Sequence, residues 1–110
     1  MVHFPEMFEK LPLTDVPIPG VHVRLLRGPT ASAIFWEATQ DTSVPEHEHG
    51  AQWGVVLEGE IRLTIGSAAR TCRRGDGYFV PARVPHAAVL KKGARVIDFF
   101  DDPNRYREKG

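Results

Sequence analysis

The sequence lacks the features that several broad classes of protein require. Cys72 is the only cysteine among 110 residues, so no disulfide can form within the chain, and a reducing, cytoplasmic location is expected. The 14 basic residues are balanced by 14 acidic ones, which leaves no net positive charge to attract nucleic acid. The longest apolar runs, such as Ala33–Trp36 and Gly54–Leu57, are far too short to span a bilayer. We therefore expect neither nucleic acid nor a membrane as partner.

The first 20 residues resemble neither a secretory signal nor a long helix. The N-terminus has no basic segment followed by a long apolar one, so no secretory signal is expected. Residues 1–20 carry four prolines and end at Gly20, which predicts an extended N-terminal arm or a set of turns. Such an arm either moves freely or docks on a neighbouring subunit, and the sequence leaves both open. Residues 21–110 are expected to form one domain, since a chain of this length holds one modest core.

From residue 21 onward, short β-rich runs alternate with turn residues. Glu60–Ile65 alternates polar and apolar residues after the Glu58-Gly59 step, which predicts a hairpin with Ile61, Leu63 and Ile65 facing the core. Similar runs occur at Val21–Leu25, Ala31–Thr39, Trp53–Leu57, Gly77–Val80, His86–Leu90 and Ala94–Phe100. About seven or eight short strands in so short a chain predict an all-β fold, a single antiparallel barrel or sandwich.

Three histidines are candidates for a metal site. His47 and His49 are two residues apart, which in a strand places both imidazoles on one face, ~6–7 Å apart along the backbone. Neutral imidazoles that converge on one point suit divalent transition metals, although such a pair also occurs on solvated surfaces. His86 begins an apolar strand after the proline-bracketed turn at residues 81–85. Its ring is expected to be partly buried and to need a partner, either a metal or a backbone carbonyl.

The order of these residues resembles the two sequence motifs of the cupin superfamily. The run from His47 to Gln52, followed by Gly59, is similar to the first motif, and Gly75, Pro81 and His86 are similar to the second. The resemblance covers about residues 45–90. It implies a small single-domain cupin, whose antiparallel jelly-roll barrel is also described as a double-stranded β-helix. It further implies one divalent transition metal (Zn, Ni, Fe, Mn or Co) bound by His47, His49 and His86.

The chain departs from the cupin motifs at several positions. Gln52 stands near the usual glutamate ligand, and a shifted register would put Trp53 there, which cannot bind metal. Gln52 could bind through its amide oxygen but adds no negative charge, so the metal should be a stronger Lewis acid and favour an anionic ligand. Asp41, Arg83 and Leu90 replace motif residues that shape turns and packing. Trp36 and Trp53 are expected in the core or pocket wall, with Trp53 nearer the rim.

Asp98 is the candidate acid or base. It lies in the apolar run from Val96 to Phe100, and alternation places Val96, Asp98 and Phe100 on one face. A carboxylate is costly to bury unless it is paired or used in chemistry. Asp98 therefore either faces solvent near Arg95 or Arg105, or faces the barrel close to the metal.

A narrower resemblance points to a reaction. The Gln52-Trp53-Gly54 step, the late Asp98-x-Phe100 and an arginine soon after are together similar to the pectin-pathway cupins called KdgF. Those enzymes assist the ring opening of 4,5-unsaturated uronates to linear keto sugars. The resemblance implies that Asp98 transfers a proton, Phe100 forms a substrate wall and Arg105 binds the substrate carboxylate.

Two other functions and an assembly state are also predicted. The three histidines would suit an Fe(II)-dependent small-molecule dioxygenase, although Cys72 has no evident tyrosine partner for a thiol-oxidising type. A non-enzymatic barrel that binds a small molecule is the third hypothesis. A homodimer is expected from the family and because exposed edge strands, such as Val21–Leu26, usually pair. The isolated His3 and His22 are expected at the surface.

Overall fold

The computed structural model describes residues 4–109, so the predicted surface position of His3 lies outside the described residues. Within this range the chain forms one 3₁₀ helix, Glu6–Lys10, and short strands joined by turns. None of its helical segments is long and apolar enough to cross a membrane. The strands are β1 (Val21–Arg27), β2 (Ser32–Ala38), β3 (Thr42–His47), β4 (Gln52–Glu58), β5 (Glu60–Ile65), β6 (Ala68–Arg73), β7 (Gly77–Val80), β8 (His86–Leu90) and β9 (Arg95–Phe100).

The strands form two antiparallel sheets. One sheet has the order β1-β2-β9-β4-β7, and the other has the order β3-β8-β5-β6. Consecutive strands repeatedly lie in different sheets, so the chain crosses between them as in a jelly roll. The predicted all-β antiparallel fold is confirmed.

The core lies between the two sheets because alternate residues of each strand point inward. On β5, Ile61 and Leu63 are buried as predicted, and Ile65 packs against the same cluster. The predicted hairpin between β4 and β5 turns at Gly59, whose φ of +74° favours glycine. Burying each large aliphatic side chain contributes ~1.5–3 kcal/mol, so this inward alternation accounts for much of the stability.

The segment that precedes β1 lies against the domain's own surface. The Phe8 ring packs on the Phe35 ring of β2, with centroids 4.6 Å apart. The carbonyl of Pro12 accepts a hydrogen bond from the Leu25 N–H at 2.9 Å, and the Thr14 N–H donates to the Val23 carbonyl at 2.9 Å. β1 is an edge strand, as predicted, but these bonds cover part of its free edge.

The candidate metal-binding residues meet at one end of the two sheets. β3 ends at His47, β8 begins at His86 directly opposite it, and β4 begins at Gln52. His49 lies beyond the end of β3 in the following loop, so the two histidines do not share one regular strand. The Arg83 N–H donates to the His49 carbonyl at 2.8 Å and holds that loop. Arg83 adopts a φ of 66°, which explains why glycine is usual at this position in the motif.

Candidate metal centre

Three imidazoles converge at this end of the sheets. The ring centroids of His47 and His86 are 4.2 Å apart, and that of His49 is 5.1 Å from His47 and 4.7 Å from His86. One nitrogen from each ring lies within 4.8 Å of the others, so the three residues could hold a metal ion. The β3 strand bulges between Val44 and His47, which re-aims its last side chain toward the interior.

Backbone carbonyls determine which ring nitrogens are available. The Nδ1 atoms of His47, His49 and His86 lie 2.8, 2.7 and 2.9 Å from the carbonyl oxygens of Pro45, Gly50 and Val84. A carbonyl only accepts hydrogen bonds, so each Nδ1 carries the proton and each neutral ring keeps its lone pair on Nε2.

The available nitrogens point at one another. The Nε2 atoms of His49 and His86 are 3.0 Å apart, and two lone pairs at this distance repel unless a proton or a cation lies between them. Three imidazole nitrogens with oriented Nδ1–H groups are a donor set that suits a divalent transition metal. The residues present therefore fit the group that the sequence predicts.

The protonation of the histidines agrees with this assignment. Burial lowers the pKa of His49 to about 4, and the positive charge of Arg105 adds to the effect. Burial also lowers the pKa of His47, although its hydrogen bond to the Pro45 carbonyl opposes the shift. Both rings are thus neutral at pH 7 and can bind a cation without first losing a proton.

Asp98 faces the interior, so the alternative in which it faces solvent is wrong. It is 4% exposed on the inward side of β9, and the Tyr78 hydroxyl donates a hydrogen bond to its Oδ1 at 2.5 Å. Burial raises the pKa of Asp98, and the hydrogen bonds from Tyr78 and Gln52 lower it only in part. Burial likewise raises the pKa of Tyr78 well above its usual value, and the charge of Asp98 adds to this. The tyrosine therefore keeps its proton, and the carboxyl beside it is a weaker acid than usual.

Gly54 has no side chain, which leaves space for the Asp98–Tyr78 pair. A Cβ atom on Gly54 of β4 would lie 2.2 Å from the Tyr78 Cζ and 2.3 Å from the Asp98 Oδ1. Both distances are far below a normal contact, so only glycine lets the two side chains meet over β4.

Gln52 and Trp36 face the interior of the domain, whereas Trp53 faces outward. Gln52 points inward and lines the inner cavity, where its amide lowers the pKa values of Asp98 and Tyr78. Trp53, the next residue, points outward and is 47% exposed, so its predicted position at the rim is wrong. Trp36 lines the inner cavity instead, as the wall aromatic that the sequence predicts. Its buried indole N–H is directed toward Asp98 without a well-formed hydrogen bond, so it stabilises the carboxylate only weakly.

Two spaces adjoin the histidines. The inner cavity has a volume of about 40 Å³ and is lined by His47 and His86 together with Asp98 and Tyr78. It can hold a water molecule or one polar group, since a water needs ~10–15 Å³ of such volume. The outer cleft has a volume of about 440 Å³, which suits a small ligand. Val44, His47 and Tyr106 line both spaces, so the inner cavity and the outer cleft adjoin at these side chains.

Arg105 and Phe100 lie next to each other, with the guanidinium carbon 5.6 Å from the centroid of the Phe100 ring. Arg105 lines the outer cleft, and its guanidinium carbon lies 4.2 Å from the centroid of the Tyr106 ring. Its Nε is buried without a hydrogen-bond partner, although one Nη donates to the Tyr106 hydroxyl at 3.2 Å. Phe100 is buried behind the histidines, with its ring centroid 5.5 Å from that of His49, and it lines neither space.

The sequence analysis did not identify Tyr78 or Tyr106 as residues of the site, and it predicted only that Trp36 lies in the core or in a pocket wall. Tyr78 could have been found, since alternation in β7 places it inward together with Val80. The inward direction of Trp36 follows from the same alternation in β2. Tyr106 lies in a turn after the last strand, where no periodicity predicts direction. Cys72 is a buried strand residue, as predicted, and its proximity contributes to the raised pKa of Tyr78.

Comparison with known proteins supports the fold and the motif assignment. Residues 35–100, more than half of the chain, match the family described as the cupin domain. The structure of KdgF from Halomonas sp. is 24% identical, with a TM-score of 0.74 over 84% of this chain and 86% of that one. An RmlC-like cupin from Shewanella frigidimarina NCIMB 400 is 27% identical, with a TM-score of 0.77 over 88% and 87%.

A larger protein contains a similar unit. A tryptophan-to-tyrosine variant of oxalate decarboxylase from Bacillus subtilis is 19% identical, with a TM-score of 0.76, and 88% of this chain matches 29% of that one. Comparison with curated protein sequences gives no significant match. Because the family match covers residues 35–100 and includes His47, His49 and His86 at one end of a jelly roll, the chain belongs to the cupin family.

Proposed function

We propose that this cupin is a metal-dependent enzyme that opens the ring of a 4,5-unsaturated uronate, and that it works as a homodimer in the cytoplasm. The observation that carries the proposal is the inner cavity, which two of the three converging histidines, His47 and His86, line together with the hydrogen-bonded Asp98–Tyr78 pair. A site that combines a cation with a nearby acid–base group suits proton transfer at a polarised oxygen.

His47, His49 and His86 would hold the ion, and Gln52 would add its amide oxygen. Gln52 lines the inner cavity together with His47 and His86, and its amide oxygen is the atom that can bind a cation. Four neutral ligands do not compensate the ionic charge, so an anionic substrate oxygen is favoured. A bound divalent ion would supply Lewis acidity to that oxygen.

Asp98 would exchange the proton. Ring opening requires the anomeric hydroxyl to lose a proton while the bond between C1 and the ring oxygen breaks. The enolate that forms then gains a proton at C4 and becomes a ketone, so one proton is lost and one gained and the overall reaction is an isomerisation. Burial raises the pKa of Asp98, so its carboxylate is a stronger base than an exposed aspartate and its acid form a usable donor. Tyr78 would orient it through their hydrogen bond.

Arg105 and the outer cleft would bind the rest of the substrate. The inner cavity is too small for a sugar ring, whereas the outer cleft of about 440 Å³ lies immediately outside His47. Arg105 lines that cleft with a buried Nε that lacks a partner, and a guanidinium matches the two oxygens of a carboxylate. Phe100, which the resemblance makes a substrate wall, is here proposed to position the His49 ring on which it packs.

The test is turnover of an unsaturated uronate by protein loaded with zinc or nickel, followed by loss of the ring alkene in the NMR spectrum. Asp98→Asn should abolish turnover while metal content stays at the wild-type level. Glu6→Gln is the matched control, since it removes an exposed carboxylate of the 3₁₀ helix that lines neither the inner cavity nor the outer cleft, and it should keep full activity.

Other outcomes would replace the proposal. Full turnover by Asp98→Asn would remove Asp98 from the mechanism. Oxygen consumption by iron-loaded protein, with no action on uronates, would favour a dioxygenase. A metabolite that copurifies in stoichiometric amount without any turnover would favour a binding protein.

A further inference from the structure

The segment that carries Arg105 has little regular structure of its own. Residues 102–106, here called the Arg105 turn, follow β9 and form turns rather than a strand or a helix. Among the described residues, no hydrogen bond between two backbone groups involves the Arg105 turn. Within it, the Asn104 N–H donates to the Asp102 carboxylate at 2.8 Å, which fixes the backbone before Arg105 but not beyond it. The place of Arg105 therefore depends on contacts from outside the turn.

Arg27 makes two such contacts, one on each side of Arg105 in sequence. Its Nε donates a hydrogen bond to the Pro103 carbonyl at 2.8 Å, and one Nη donates to the Tyr106 carbonyl at 2.8 Å. A guanidinium presents these donors in a rigid planar fork, so a single side chain fixes the distance between the two carbonyls. Arg27 thus holds the Arg105 turn at both of its ends.

The support for these bonds is the rim of the five-stranded sheet. Arg27 is the last residue of β1 and lies opposite Ser32 of β2, which in turn lies opposite Phe100 of β9. Ser32 is 2% exposed, and its hydroxyl donates to the Asp102 carbonyl at 2.7 Å. The turn is thereby fastened to two neighbouring strands, and groups carried by a sheet are placed more precisely than groups on a free loop.

Arg105 needs this external support because its own contacts do not fix it. Its guanidinium carbon lies 4.2 Å from the Tyr106 ring centroid, and one Nη donates to the Tyr106 hydroxyl at 3.2 Å. Tyr106 belongs to the same turn, so these contacts move with Arg105. The contact with Phe100 of the sheet is longer, at 5.6 Å to the ring centroid. A grip on two carboxylate oxygens is sensitive to position, since a shift of ~1 Å can cost ~100-fold.

We propose that Arg27 is a positioning residue that holds Arg105 within reach of a carboxylate bound in the outer cleft. The inference rests on the proposed function, in which Arg105 binds the carboxylate of the substrate. Arg27 is exposed and lines neither the inner cavity nor the outer cleft, so it acts through the backbone of the Arg105 turn and not on the ligand.

Loss of the two bonds should weaken binding and spare the chemical step. Asp98 and the three histidines lie on strands or on the loop after β3, so none of them depends on the Arg105 turn for its place. Arg27→Met keeps the length of the side chain and removes its donors. It should raise KM for the unsaturated uronate by at least ~10-fold, change kcat by less than ~3-fold and leave the metal content unchanged.

The first test is calorimetric titration of the zinc-loaded full chain with glucuronate, a saturated uronate that lacks the alkene and cannot react. Arg27→Met should raise the dissociation constant by at least ~10-fold. Arg27→Lys should fall between this variant and the wild type, because one ammonium group can reach only one of the two carbonyls. It also keeps the test decisive if Arg27→Met does not fold.

Arg70→Met is the matched control. Arg70 is likewise an exposed strand arginine whose Nη donates to a backbone carbonyl, that of Gly77 at 2.9 Å. It lines neither the inner cavity nor the outer cleft. Arg70→Met loses the same kind of bond elsewhere in the sheets, so it should bind glucuronate as tightly as the wild type.

The second test follows the Arg105 side chain directly and needs no ligand. The ¹⁵N relaxation of its Nε–H group, assigned by comparison with Arg105→Lys, should show a rigid group in the wild type and in Arg70→Met. In Arg27→Met its order parameter should fall below ~0.6, the range of flexible groups. Thermal unfolding of each variant shows that the fold is kept.

Three results would overturn the inference. These are unchanged glucuronate affinity with a rigid Arg105 in Arg27→Met, an equal loss of affinity in Arg70→Met, and a fall in kcat with KM unchanged. Failure of the proposed function is distinguishable from these. If the wild type neither turns over unsaturated uronates nor binds glucuronate, that function is refuted, and the relaxation of Arg105 still decides whether Arg27 positions it.

Discussion

Gly54→Ala tests whether the space above β4 holds the Asp98–Tyr78 pair in place. The added Cβ would lie 2.2 Å from the Tyr78 Cζ and 2.3 Å from the Asp98 Oδ1, so both side chains must move by more than an ångström. Both are 4% exposed and surrounded by the core, which leaves little room for that movement. The substitution should therefore separate the hydroxyl from the carboxyl that it hydrogen-bonds.

The expected loss of stability has two parts. Overpacking a core site costs ~1–3 kcal/mol, and leaving a buried carboxyl without its donor costs a similar ~1–3 kcal/mol. A total of ~3 kcal/mol should lower the melting temperature by ~12 °C, at ~4 °C per kcal/mol for a domain of this size. Thermal unfolding followed by circular dichroism measures this, and uronate turnover should fall with it.

Gly77→Ala is the control because it adds the same methyl group to the neighbouring strand. Its Cβ would lie 3.5 Å from the Gly54 carbonyl oxygen and 3.6 Å from the Trp53 ring, which are ordinary contacts. Its melting temperature should change by less than ~4 °C. If Gly54→Ala unfolds at the same temperature as Gly77→Ala, the structure of this part of the core is not as described, and the reasoning fails.

Three further predictions concern the histidines and the turn that holds them. Elemental analysis should find a transition metal in purified wild type and in His22→Ala, and little in His49→Ala, because only the second variant removes a converging nitrogen. Equal metal in both variants would contradict the site. In the metal-free protein, the free energy of unfolding should fall as the pH drops from 6.5 towards about 4. The pKa of His49 is about 4 in the folded protein and 6.5 in the unfolded chain, so over this range only the unfolded chain binds a proton at His49 and is stabilised by it. Urea titrations measure this, and His49→Gln should weaken the dependence; an unchanged pH dependence would refute the assignment. Arg83→Val should lower stability by ~1–2 kcal/mol, since a β-branched side chain resists the left-handed backbone seen there, whereas Arg83→Gly should not. Urea unfolding of the two variants decides this, and equal effects would show that the turn can adopt another backbone conformation.

Much of the fold could be predicted because strand alternation is a local property. Ile61 and Leu63 follow polar neighbours at every second position, and Gly59 marks the turn before them. The same rule placed Asp98 on a face with Val96 and Phe100, but it could not decide whether that face was inside. The error over Trp53 has the same origin. Alternation separates Trp53 from Gln52 without saying which of them faces the core, and the packing of β4 against β7 and β9 decides it.

The sequence by itself determined seven of the nine strands, several turn residues and the kinds of ligand at the site, because each depends on a few neighbouring residues. It missed β3 and β6, which lack a clear apolar alternation. It also determined the family, through the spacing of His47, His49 and His86 along the chain. Only the tertiary structure decided that one nitrogen from each of the three imidazoles converges, that Tyr78 donates to Asp98, and that Trp53 and Phe79 share an exposed row with Phe99. These contacts join strands that are distant in sequence. They exist only once two sheets have closed over one core, and the geometry of that closure depends on every strand at once.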